Sequence, residues 1–268
     1  MKARPPWRLR ALRVCGSTEW ELERWLARRP AAAPPRLGHP RLVLAERQRF
    51  GQGQHGRIWL SPPGGVWLSA ALPWADGPAG AAAPGLAVAV GLLRQLEGMG
   101  IEARLKWPND LLLRGRDGEW RKLAGVLSGL RLRGELARWA RVGLGLNGCN
   151  PVPPGAINLV RALGPARARP RRVLPWVFAA MEWAMDCAAE GELVRREAER
   201  RLWVPAERLR LEDTLWRIQG LTLQGGLALV AADGRRRVLH RSWPERTEGL
   251  YIGSDLARTP GAGDPIPL

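Results

Sequence analysis

The sequence predicts an α+β protein, and three observations predict it. Strand-like and helix-like runs are mixed without strict βα alternation. Residues 104–146 read as successive strands parted by turn residues, and residues 206–252 as short strands with glycine turns. Taken in order, residues 1–15 are a basic lead-in. Ser17-Thr18-Glu19-Trp20-Glu21 then opens a helix carrying Leu22, Trp25 and Leu26, with Thr18 and Glu21 at capping-box spacing. Residues 31–40 are a Pro-rich loop, 41–47 a strand, and 48–59 a Gly-punctuated loop leading into another strand. A turn at 61–65 precedes a buried strand at 66–74. A small-residue loop at 75–84 then leads to a helix at 85–100 that ends on glycine. The runs in 104–146 are separated at Pro108-Asn109, at Gly115 to Gly118 and at Gly134. After a Pro/Gly-rich loop (150–170), residues 171–203 have helical periodicity until Pro205 breaks it. Residues 1–205 are thus expected as one domain and 206–258 as a small β-barrel. The Pro- and Gly-rich residues 259–268 are expected as a flexible tail.

The 268 residues suffice for one large domain, or one domain and a small one. Hydrophobic residues at 46% and charged residues at 25% are a globular balance, and no run of about 18 apolar residues predicts a spanning helix. The N-terminus is basic but lacks the apolar core of a secretory signal. Cys15, Cys149 and Cys187 lie far apart, which argues against a disulfide scaffold or structural zinc and fits a reducing, cytoplasmic setting. Lys and Arg number 42 against 25 acids, a net charge of +17 that by itself suggests nucleic acid or an acidic partner. Only Lys2, Lys106 and Lys122 are lysines, however, so the Arg excess has the look of a coding bias. A lysine kept in such a chain marks a place for a compact ammonium rather than a planar fork.

Three segments can carry chemistry. Gly51-Gln52-Gly53-Gln54-His55-Gly56-Arg57 can aim backbone N–H groups at an anion, with Arg57 adding a charge-assisted bond. Its G-x-G-x-x-G spacing is not a dinucleotide fingerprint, because Ile58-Trp59-Leu60-Ser61-Pro62-Pro63 cannot start a helix. Lys106-Trp107-Pro108-Asn109-Asp110 presents an amide and a carboxylate at a stiff turn, although Pro-Asn-Asp is also plain turn chemistry. Lys122 lies nearby, followed by small residues. In Val142-Gly143-Leu144-Gly145-Leu146-Asn147-Gly148, glycines interrupt a strand, which fits either a bulge or close approach by a ligand.

Together and in this order, Ser17-Thr18, Gln48 through Trp59, Lys106 through Asp110, Arg121 through Gly125 and Gly145-Leu146-Asn147 resemble the motifs of biotin–protein ligases. The likeness covers about residues 14–150 and is weaker beyond, at 226–241. It resembles the monofunctional form, without a DNA-binding helix-turn-helix before Ser17. The resemblance implies a mixed-sheet catalytic domain of the biotin/lipoate ligase type with a small SH3-like C-terminal barrel. It implies that biotin and ATP, with Mg2+, give biotinyl-5′-adenylate, and that biotin passes to a lysine of a biotin carboxyl carrier domain of acetyl-CoA carboxylase. By this likeness Lys122, Arg57 and Asp110 are catalytic, and Asp110 also touches the metal. Ser17, Thr18, Gln48, Gln52, Gly53, Gln54, Lys122 and Gly125 hold biotin. Gly51, Gly53, Arg57, Lys106, Trp107, Asn109, Asp110 and Asn147 hold ATP. No DNA or membrane partner is implied, and the protein is a monomer or homodimer.

The chain departs from the family pattern at Gln52 and Gln54, where arginines are usual, and at Glu19, where an Asn often follows the Ser-Thr pair. The rival readings are a lipoate or octanoate ligase of the same fold, a basic nucleic-acid-binding protein, and an inactive ligase.

Overall fold

The computed structural model describes residues 6–29, 34, 36–76, 81–134, 136–204, 208–211 and 213–240. The class is mixed α+β. Among these residues the main sheet has eight strands: β1 (Arg8–Cys15), β2 (Arg41–Gln52), β3 (Ile58–Ser61), β4 (Val66–Leu72), β5 (Ala103–Lys106), β6 (Asp110–Arg114), β7 (Trp120–Arg133) and β8 (Leu136–Leu146). Their order is β1-β2-β4-β8-β7-β6-β5, with β3 paired to β2 beside β4. β1 and β2 are parallel and the other pairings antiparallel, so the sheet is mixed. Parallel neighbours need a crossover, and α1 (Thr18–Ala27) supplies it.

Period-2 alternation assigns the two faces. On β4, Leu68, Ala70 and Leu72 enter the large core with α2 (Pro84–Glu97), while Ala71 packs with Leu22 and Leu26 of α1. α2 is apolar nearly all round because it lies between the sheet and α4 (Pro170–Asp186). It meets α4 tightly at Gly91, where a Cβ would stand 2.5 Å from the Ala180 carbonyl oxygen. After the short α3 (Val160–Leu163) and α4, α5 (Gly191–Glu199) packs on α2 and reaches the C-terminal sheet.

That second sheet contains β9 (Arg208–Leu211), β10 (Thr214–Leu221), β11 (Leu227–Ala231) and β12 (Arg236–Leu239), an antiparallel meander in chain order. Among the described residues β9 and β12 do not pair, so the expected barrel is seen as a four-stranded sheet. Its apolar side joins the main core through Leu209, Trp216, Leu221 and Leu229. The Trp107 indole N–H donates to the Gly225 carbonyl (2.9 Å), and the Leu221 N–H donates to Glu199 Oε1 (2.6 Å). The expected boundary at 205/206, the strands beyond 240 and the tail at 259–268 lie outside the described residues. No described helix is long and apolar enough to cross a membrane.

Four expectations need correction. The basic lead-in is largely strand β1, an exposed edge whose arginines hide its pattern. The cap of α1 is Ser17, whose Oγ accepts from the Glu19 N–H (3.2 Å), and not Thr18. β2 continues to Gln52, so the glycine loop shrinks to 53–57. The helical stretch over 171–203 is two helices separated at 187–190.

Gly91→Ala is expected to lower stability by about 1–3 kcal/mol through overpacking against Ala180. A melting or urea titration beside the wild type measures it.

Candidate active site

The site starts at one side-chain amide. Gln48 Oε1 accepts from the Thr18 N–H (2.8 Å) and the Thr18 hydroxyl (2.9 Å), while its Nε2 donates to Ser61 Oγ (2.9 Å). Two donors on one atom fix which end of the amide is oxygen. The Ser61 hydroxyl donates onward to the Trp59 carbonyl (3.1 Å), and Ser69 Oγ lies 2.9 Å from Thr18 Oγ1. These bonds tie the start of α1, β2, β3 and β4 together. Gly51 sits in the middle of the string, where a Cβ would fall 2.4 Å from the Trp59 carbonyl oxygen.

The Trp59 ring lies on a glycine floor. Gly125 of β7 faces Gly145 of β8, and Gly143 follows on the same side. A Cβ on Gly145 would stand 2.4 Å from the indole, and one on Gly125 3.1 Å. Both strands therefore give up a side chain where the ring sits. The indole Nε1 is buried and has no hydrogen-bond partner. Lys122 Nζ stands 4.9 Å from the same ring and 2.7 Å from Asp110 Oδ1.

A β-bulge places that ammonium. Strict alternation from Gly125 would send Lys122 to the opposite face, into the apolar core. Between β6 and β7, however, Leu111 pairs with Ala124 and Leu112 with Lys122, which leaves Leu123 unpaired. Leu123 and Ala124 are both fully buried in the core. Lys122 is thereby returned to the glycine side, its Cε 3.5 Å from where a Gly125 Cβ would be.

Lys106 ends β5, directly across from Asp110. It is 7% exposed, and its pKa falls from 10.5 to about 8. Burial is the main cause. Asp110 opposes the fall, and the charges of Lys122 and Arg57 add to it. Lys106, Lys122, Asp110 and Arg57 are therefore one electrostatic cluster. The loop that brings Arg57 is closed by Gly53 N–H to the Arg57 carbonyl (2.7 Å) and Arg57 N–H to the Gln54 carbonyl (3.1 Å). His55 and Gly56 in it take left-handed φ values of 57° and 73°. Gln52 and Arg57 are exposed, and Gln54 half-buried.

Other expected site residues are occupied in building the site. Ser17 caps α1. Asn109 exchanges bonds with Val126: its Nδ2 donates to the Val126 carbonyl (3.1 Å) and its own carbonyl accepts from the Val126 N–H (2.9 Å). Asn147 is buried, donates to the Ile157 carbonyl (3.2 Å) and accepts from Asn150 Nδ2 (3.1 Å). Trp107 faces the C-terminal sheet through its bond to Gly225.

Three side chains not among the expected site residues belong here: Trp59, Ser61 and Ser69. The alternation in Ile58-Trp59-Leu60-Ser61 is the sequence signal for the first two. Glu19, noted only as a departure, has a buried carboxylate 2.9 Å from Arg141 Nε, beside Gly143. Burial raises its pKa, against the opposing effects of Arg141 and a hydrogen bond with Ser69.

The family model for the Biotin/lipoate A/B protein ligase family matches residues 35–147. The match takes in Gln48, the glycine loop, Trp59, Asp110, Lys122 and the glycine floor. The Bifunctional ligase/repressor BirA of Escherichia coli (strain K12) is 37% identical over 106 residues, which are 39% of this chain and 32% of that protein. The one from Bacillus subtilis (strain 168) is 33% identical over 111 residues, covering 40% and 32%. The chain thus spans about a third of the length of these relatives. The Biotin--[acetyl-CoA-carboxylase] ligase of Paracoccus denitrificans is 34% identical over 127 residues, covering 46% of this chain and 51% of that protein.

The fold likeness extends further than the sequence likeness. A biotin protein ligase from Aquifex aeolicus, in complex with biotin and ATP, superposes with a TM-score of 0.61 at 22% identity. That superposition covers 87% of this chain and 95% of the other. The biotin protein ligase of Leishmania major, in complex with biotinyl-5-AMP, gives 0.55 at 18% identity over 88% and 100%. The chain therefore shares the fold of these biotin protein ligases.

With three lysines in the chain, the Lys106 ammonium can be followed by NMR, and its midpoint is expected near pH 8. Asp110→Asn is expected to lower that midpoint, because the carboxylate holds it up. The unfolded lysine keeps its proton to higher pH, so the site's contribution to stability is expected to grow as pH rises from about 8 to 10.5. Melting scans of wild type and Lys106→Met measure that slope, which the variant should lose.

Proposed function

We propose that this chain joins biotin to ATP, giving biotinyl-5′-adenylate and pyrophosphate, and then transfers the biotinyl group to a lysine of a biotin carboxyl carrier domain. The observation that carries the reading is the Lys122 ammonium held beside Asp110 over the Trp59 ring and its glycine floor. The family-model match over residues 35–147 and the complex of similar fold with biotin and ATP support it.

The first step brings a carboxylate to the α-phosphorus, so two anions must approach. A carboxylate oxygen forms the new P–O bond while the bond to pyrophosphate breaks. In this reading Lys122 lies between the biotin carboxylate and the α-phosphate, sharing its charge with them and with Asp110. Lys106, Arg57 and the amides around Gly51 and Gly53 face the phosphates. Thr18 and Gln48 address the ureido ring at the other end of Trp59, beside Ser17, Gln52 and Gln54. Gly125 lets the Trp59 ring lie against the sheet, and the tail packs beside them. Asn109, Asn147 and Trp107 hold the strands that present these groups to the nucleotide. In the second step a neutral lysine amine attacks the acyl carbon, a C–N bond forms, the C–O bond to AMP breaks, and the amine loses a proton. Asp110 is the carboxylate placed to orient or accept it.

Magnesium fits here as part of the nucleotide substrate. Asp110 is one carboxylate, already paired with Lys122, and the described residues contain no group of three or more His, Cys, Asp or Glu able to hold a metal. They do not build a protein-held magnesium site, and no step above is routed through one.

Lys122→Ala is expected to cut biotin-dependent pyrophosphate release by about 10²–10³-fold, with the melting temperature little changed. An undiminished rate overturns the reading, as does transfer of lipoate or octanoate but not biotin to a carrier domain. Gln54→Arg restores a cation to the loop and adds one charge-assisted contact, worth about 1.5–3 kcal/mol. Adenylate release, followed in single-turnover experiments, is expected to slow by about tenfold or more.

A further inference from the structure

Glu19 carries a carboxyl group to the polar end of the site, and the mechanism above does not use it. It is the second residue of α1, and its side chain is 13% exposed. Its Oε1 lies 2.9 Å from Arg141 Nε, yet makes no hydrogen bond. Its Oε2 stands over Gly143, where a Cβ would be 3.7 Å from Oε2 and 3.8 Å from Ser69 Oγ. Gly143 and Gly145 are successive positions on one face of β8, so Glu19 lies on the same floor as Trp59. Ser69 is hydrogen-bonded to the Glu19 carboxyl group, which joins Glu19 to the string that ends on Gln48.

The hydrogens along that string can be counted. Three contacts run from Glu19 to Gln48: Glu19 with Ser69, Ser69 Oγ with Thr18 Oγ1 (2.9 Å), and Thr18 Oγ1 with Gln48 Oε1 (2.9 Å). Each contact needs one hydrogen. A hydroxyl donates once, and neither an amide oxygen nor an ionised carboxylate donates at all. Ser69 and Thr18 therefore bring two hydrogens to three contacts. A proton on Glu19 closes the count: Glu19 donates to Ser69, Ser69 to Thr18 and Thr18 to Gln48. When Glu19 is ionised, its charge draws both hydroxyls the other way, Thr18 toward Ser69 and Ser69 toward the carboxylate. Gln48 Oε1 then keeps the Thr18 N–H alone and has a lone pair open to a ligand, on a side chain that is only half-buried.

We infer that Glu19 is a positioning residue for the ligand's urea group, and that it gives up a proton when a ligand N–H takes the place of the Thr18 hydroxyl on Gln48 Oε1. The inference rests on the reading above, in which Thr18 and Gln48 face the ureido ring of biotin. The surroundings of Glu19 favour a proton in the empty site. Burial comes first and raises its pKa. Arg141 of β8 and the bond with Ser69 of β4 oppose the rise, Glu23 of α1 adds to it, and Arg131 of β7 opposes it again. The ligand selects the ionised form. Its affinity therefore increases with pH up to the midpoint of Glu19 in the empty site and is level above it.

The test is calorimetry of biotin binding to the full chain, without ATP, from about pH 5.5 to 7, in two buffers of different protonation enthalpy. In this window the ligand carboxylate is ionised, and Lys106, with its pKa of about 8, is largely protonated. Wild type is expected to bind biotin more tightly as pH rises, by up to about tenfold per pH unit, and to release a proton to the buffer. In Glu19→Gln the amide oxygen stays toward Arg141 and the NH2 group donates to Ser69, which fixes the hydroxyls in the direction of the protonated acid. That variant is expected to bind more weakly at the top of the window and to lose both the slope and the proton release. Ser69→Ala cuts the string and is expected to lose the proton release too, so it decides the matter if Glu19→Gln fails to fold. Wild-type affinity without a pH slope, or proton release undiminished in either variant, overturns the inference and leaves the biotin reading standing. No binding of biotin at any pH overturns that reading and the inference with it.

Discussion

The pairing of the Lys122 ammonium with Asp110 above a side-chain-free patch of sheet is the interaction on which the site depends. It exists because one residue too many is fitted into β7. Leu123 takes the core position that alternation would give to Lys122, and the ammonium emerges on the glycine side. The core gains a fully buried leucine and the surface gains a cation held by a rigid strand rather than by a loop. The glycines opposite then have a clear purpose. Any side chain at Gly145 would displace Trp59, and Trp59 is the ring that both borders the ammonium and, through its carbonyl, anchors the Thr18–Gln48–Ser61 string. One residue, by its ring and its backbone carbonyl, thus joins the charged end of the site to its polar end.

The charge balance around that ring gives the site its chemical bias. Lys106, Lys122 and Arg57 influence one another, with Asp110 between the two lysines. Three cations against one carboxylate leave a positive field in partly desolvated surroundings. That field favours ligands that bring negative charge and leaving groups that depart with it. The low pKa of Lys106 comes first from burial, and the neighbouring cations Lys122 and Arg57 lower it further. The Thr18–Gln48 end is built from uncharged hydroxyls and an amide, which suits an uncharged polar ring. In the proposed reaction the two ends divide the work of recognition and of charge stabilisation.

Much of this was legible in the chain. Scarce lysines in an Arg-rich sequence marked Lys106 and Lys122, and glycines in the β8 pattern marked a close approach that proves to be Trp59. Other features were hidden for physical reasons. A bulge leaves no mark in an alternation pattern when the inserted residue is as apolar as its neighbours, as Leu123 is. β1 was missed because an exposed edge strand has no buried face to impose a period on its arginines. The family resemblance places Asn109, Asn147 and Trp107 at the nucleotide, and each also makes a bond that holds the fold. The partners that occupy them, Val126, Ile157 and Gly225, lie on segments remote in sequence or reached only through a turn, and no local spacing announces them.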